Sequence, residues 1–78
     1  MGQRAEWGGD LSPDFSPRAA ARHARRWLAD NRPDAKTIAA SARDANAAQT
    51  IAAARGHRQR ADYWSAYRAV LVAAIEGR

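Results

Sequence analysis

Large apolar residues along this chain recur at helical spacing, and no stretch shows the alternation of a half-buried strand. From Ser16 onward, Ala20, Ala24, Trp27 and Leu28 fall on one side of a 3.6-residue repeat, with Arg18, Arg22, Arg25 and Arg26 opposite. Ser16 is a good cap, Pro17 suits a first helical turn, and Asn31-Arg32-Pro33 ends the run. A first helix is therefore predicted over 17–31.

Residues 34–55 are nearly all helix formers and run into Gly56, a natural helix stop. Their two large apolar residues, Ile38 and Ile51, stand 13 apart, which at about 100° per residue puts them on opposite sides of a continuous helix. Either that helix is buried on both sides, or it breaks near Asp44-Ala45-Asn46, where Asp and Asn favour a turn and Ser41 with Asp44 resembles a capping pair. A pair of short helices is preferred over one long one.

The clearest apolar face lies in 58–76: Tyr63, Trp64, Tyr67, Val70, Leu71, Ala74 and Ile75. This last helix is expected to be the centre of the fold, with Trp64 its main anchor. Upstream, residues 1–16 carry the turn signals Gly8-Gly9 and Ser12-Pro13, yet Trp7, Leu11 and Phe15 recur every four residues. They read as an ordered arm laid across the helices. The expected fold is all-α: one domain over 1–78, a small bundle of three or four helices with that arm.

Composition qualifies this picture. Of 78 residues, 46% are hydrophobic, but 21 of these are alanine, and Leu, Ile, Val and Phe together number nine. So thin a supply of large side chains implies modest stability, aromatic residues in place of leucines, and room for help from a homodimer. There is no cysteine, hence no disulfide, thiol nucleophile or zinc-finger ligand set. No run has the length of a signal core or membrane span, and Glu6 spoils Met1-Gly2 as a myristoylation start, so a cytoplasmic location and no membrane partner are expected.

Catalysis is not expected. His23 and His57 stand 34 apart without a carboxylate at relay spacing, Ser41 and Ser65 lack an oxyanion-type loop, and no phosphate loop or metal-ligand spacing occurs. No cofactor or metal is called for.

The net charge is +5, and 12 of the 13 basic residues are arginine, Lys36 being the exception. Two patches concentrate them: the ridge Arg18, Arg22, Arg25, Arg26, and RGHRQR, with Arg55, Arg58 and Arg60 around His57. The ridge has no interleaved acids for i,i+4 pairing, so helix stability does not account for it. Both patches suit an anionic partner, either an acidic protein surface gripped by guanidinium forks or the phosphates of a nucleic acid. The alternative places chemistry in 37–55, which resembles the phage-repressor helix-turn-helix: Ala45 at the turn, Gln49 and Thr50 outward with Arg55 toward DNA, Ile51 inward. Asp44 where an apolar residue packs, and the undersized Ala40 and Ala54, depart from that pattern.

A short, cysteine-free helical chain ending in RADYWSAYRAVLVAAIEGR resembles the small accessory proteins of phages and mobile elements, above all anti-CRISPR inhibitors of type I systems. The likeness covers the chain in overall kind and carries no residue role to a position here. It implies an inhibitor that binds a host ribonucleoprotein, the RNA-guided surveillance complex, and blocks recognition of target DNA. A basic inhibitor would dock on acidic protein patches or on bound nucleic acid.

Overall fold

The computed structural model describes residues 15–77, so all of the expected arm except Phe15 and Ser16 lies outside the described residues. Helix α1 spans Pro17–Asn31 and starts as its sequence demands: the Ser16 hydroxyl accepts from the Ala19 N–H at 3.0 Å, with Pro17 in the first turn. It stops at Arg32, whose backbone takes the left-handed conformation (φ 45°) while its N–H bonds the Leu28 carbonyl at 2.9 Å. Helix α2, Ala35–Ala54, is capped by the Asp34 carboxylate, which accepts from the Thr37 N–H at 2.8 Å. Its end is a Schellman turn: the Gly56 N–H bonds the Ala53 carbonyl at 3.1 Å, and the His57 N–H reaches back to Ala52 at 2.8 Å. Gly56 sits at φ 76°, which a side chain at that position would resist. Helix α3 then runs Arg58–Glu76. These three helices, and no strand, make up the secondary structure of the described residues apart from a short 3₁₀ segment at Phe15.

The preferred break in the middle segment does not occur. Asp44 and Asn46 both face solvent, where they interrupt nothing, and Ala45 between them is buried. The inward positions of α2 fall at 38, 42, 45, 49 and 52, alternating steps of four and three. That is a heptad seam, and a break at residue 45 would cut it in half. The seam is mostly alanine, so the α2 backbone can approach α3 closely. Ile51 lies off the seam and is 53% exposed, so α2 is not buried on both sides.

Helix α3 is central, as expected. Both α1 and α2 pack along it, and they do not pack along each other. Its positions 61, 64, 68, 71 and 75 repeat the heptad, with Trp64, Arg68 and Ile75 bordering grooves shared with α2. Tyr63 instead faces α1, where its hydroxyl meets His23. The core cluster is Ala24 from α1, Ile38 and Ala42 from α2, and Leu71 from α3; Trp27, Leu28, Tyr67, Val70, Val72 and Ile75 close around it half-buried. Leu71 is fully enclosed and Ile38 nearly so. Trp64 lies outside this cluster, half-buried, where it lines an open groove with Ala48 and Ala52 of α2.

Leu71, not Trp64, should therefore anchor the stability. Leu71→Ala is expected to cost about 2–5 kcal/mol, enough to leave a domain of this size largely unfolded. Trp64→Ala should cost distinctly less. Urea unfolding followed by circular dichroism compares the two, and the reverse order would refute the core as described.

Candidate functional site: two arginine surfaces

Arg18, Arg22, Arg25 and Arg26 all project from the exposed side of α1, away from buried Ala19, Ala20 and Ala24. At about 100° per residue the four fall within roughly a quarter of the helix circumference, a single stripe. One acid does interleave, contrary to expectation: Asp30 lies four residues after Arg26, with Nε and Oδ2 3.7 Å apart. Both side chains are largely in water, so the pair contributes little. Arg18, Arg22 and Arg25 form no ion pair with a described residue.

The second patch divides. Arg55 and Arg58 are exposed beside His57 at the α2–α3 turn. Arg60 is not part of an open surface: it is half-buried, with its guanidinium carbon 5.7 Å from the centre of the Phe15 ring, a cation–π approach. One turn into α3, it faces the packed side of the chain.

The helix-turn-helix residues are not brought together. α2 passes through Ala45 without a turn, so 37–55 has no separate recognition helix. Gln49 occupies a seam position between Ala45 and Ala52, and its side-chain oxygen is buried without a hydrogen-bond partner. Thr50 is exposed, but its hydroxyl donates to the Asn46 carbonyl at 3.0 Å. Ile51, expected to point inward, points out. Arg55 alone of the proposed DNA-reading set stands ready in solvent.

Sequence reasoning missed the link between His23 and Tyr63. The His23 Nδ1 lies 2.9 Å from the Tyr63 hydroxyl, joining α1 to α3 across 40 residues. The signal was available: His23 stands four residues after Ala19 and four before Trp27, on the inward edge of α1. Tyr63 itself sits among rings, edge-on to Phe15 at 5.3 Å and to Trp64 at 5.0 Å. Nearby, burial pushes the Tyr67 hydroxyl above its ordinary value of 10.0.

Among the described residues, no three His, Asp or Glu side chains gather as a metal site would require, and no helix is long and apolar enough to cross a membrane. No protein-family model, curated protein or solved structure matches the chain.

Two outcomes test the interior as drawn. Gln49→Leu should raise stability by about 1 kcal/mol, because it removes a buried unpaired oxygen from an apolar seam; a loss of similar size in urea titration would place Gln49 elsewhere. Tyr67 contributes to the alkaline limb. Its folded-state pKa lies above the unfolded value, so its contribution is complete below pH 10 and is lost as pH climbs through the folded value. Melting temperature should fall above about pH 10, and Tyr67→Phe should flatten that decline.

Proposed function

We propose that this chain is a non-enzymatic binding protein whose α1 stripe docks on an acidic surface of a host protein or ribonucleoprotein complex. The observation that carries the reading is the stripe itself: Arg18, Arg22 and Arg25, exposed in line on one helix and ion-paired to no described residue. Guanidinium groups so placed can each grip a carboxylate in two places, and they need no reorganisation of the fold to do it.

The placement of charge at the helix ends supports the same reading. None of the three helices has an acidic residue in its first turn or a basic one in its last. Arg18, Lys36 and Arg58 instead stand exposed in first turns, where the helix dipole disfavours cations by about 0.3–1 kcal/mol each. A chain with so little core to spare holds these charges against its own stability, as expected of residues kept for a partner. In its finer form the partner is an RNA-guided surveillance complex, and the chain, like the anti-CRISPR proteins it resembles, blocks that complex from recognising target DNA.

The test is the triple variant Arg18→Gln, Arg22→Gln, Arg25→Gln. Its helix content and melting should stay within about 0.5 kcal/mol of the parent, because the changes touch no packed side chain. Binding should weaken sharply, since one lost desolvated charge pair costs about 2–5 kcal/mol. A mobility-shift assay of target DNA with a purified type I surveillance complex reads the finer claim: the parent should suppress the shift and the variant should not. Suppression by both would remove the stripe from the mechanism, and suppression by neither would remove the surveillance complex. Capture from nuclease-treated lysate that keeps its protein partner would support a protein surface over bare nucleic acid.

A further inference from the structure

A second surface has a different chemistry. Where α2 ends and α3 begins, Ala48, Ile51, Ala52, Arg55, His57 and Trp64 line an open groove of about 220 Å³. Its floor is apolar, and Ile51 at its edge is the large hydrophobic side chain most exposed among the described residues. Its rim is basic through arginine: Arg55 is exposed beside His57, Arg58 follows them, and Arg60 borders the inner wall. No carboxylate of a described residue lines it. The first N–H groups of α3, which have no side-chain cap, add positive potential at the same end.

We infer that this groove binds an acidic, apolar-anchored segment of a partner protein: one or two large hydrophobic side chains seated against Ile51 and Trp64, with flanking carboxylates on Arg55 and His57. The inference deepens the reading of the chain as a binder of acidic partners and rests on it, at a place other than the α1 stripe. Size permits it, since a cavity of about 150 Å³ already admits benzene. Apolar anchors with charged flanks are the usual means by which a helical or extended segment docks in a groove. A second copy of this chain fits poorly, because two-fold pairing of this face would bring the Arg55 and Arg60 guanidinium groups of the two copies together with no carboxylate of a described lining residue between them. Single-stranded nucleic acid fits poorly as well. Its bases stack on exposed ring faces, whereas Trp64 is half-buried, edge-on to Tyr63 and tilted against Tyr67 at 5.4 Å, and the rest of the floor is aliphatic.

The experiment is a titration of the ¹⁵N-labelled full chain with a blocked hexapeptide, Asp-Glu-Leu-Phe-Glu-Asp, followed by amide and indole shifts. Three controls run beside it: the same peptide with serine for leucine and phenylalanine, a short single-stranded oligonucleotide, and sedimentation of the protein alone. Saturable shifts at Ile51, Arg55, His57 and the Trp64 indole are expected. Ile51→Ser, on an exposed helix face, should keep the fold and weaken the peptide about tenfold or more. Arg55→Glu should weaken it further, and the triple α1 variant should bind the peptide as the parent does. Absence of groove shifts at millimolar peptide overturns the inference. So do equal affinity for the serine peptide, stronger displacement of the same resonances by the oligonucleotide, or a dimer that buries Ile51. A groove that fails while the α1 stripe still governs partner binding leaves the proposed function standing; the opposite pattern leaves the groove.

Discussion

Leu71 is enclosed at the place where Ala24, Ile38 and Ala42 converge, and the rest of the described structure follows from how few such residues the chain has. With Leu, Ile, Val and Phe so scarce, burial has to come from closeness instead of bulk. Alanine on α1 and α2 lets both backbones settle on α3, and half-buried aromatic and aliphatic side chains close the gaps around the centre. Each contact so made is small. The fold therefore depends on a single helix being able to serve two neighbours at once.

That dependence explains which parts of the architecture were legible. α1 and α3 have the residue ranges their caps and apolar spacing predict, because Ser16, Pro17, Pro33 and Gly56 act locally and need no partner to be read. α2 was misread because local rules were asked a tertiary question. Asp44 and Asn46 favour a turn in isolation, but the alternation Ile38, Ala42, Ala45, Gln49, Ala52 matches the seam of α3, and the longer pattern prevails. It was hard to see because four of its five members are alanine or glutamine, residues that hydrophobic periodicity weighs lightly. Trp64 was overrated for the converse reason: size suggests burial, but the enclosed cluster forms about two turns further along α3, around Leu71, and Trp64 borders an open groove instead.

The candidate surfaces divide along the same line. Arginine on the face opposite Ala20 and Ala24 must meet solvent, so the α1 stripe was readable from spacing alone. Arg60 and Gln49 were not readable, because their positions depend on where α3 lies: one reaches Phe15, the other is trapped between helices. The exposure of Ile51 was hidden in the same way. A residue that looked like an anchor proved to be surface, and with Trp64 it turns a basic segment into an amphipathic groove.

The way α1 is attached bears on the order in which the molecule assembles. Bringing α2 onto α3 closes only the turn at 55–57, whereas bringing α1 onto α3 means looping over the whole of α2. Loop-closure entropy grows with the length enclosed, and contacts near in sequence form soonest. α1, with three buried alanines and a bond from His23 to Tyr63, has the smaller hold on the rest. Contact order therefore predicts that α1 joins last and leaves first. The arginine stripe thus rides on the part of the chain that the fold can most readily spare, and a partner that grips it would do for α1 what the meagre core does not.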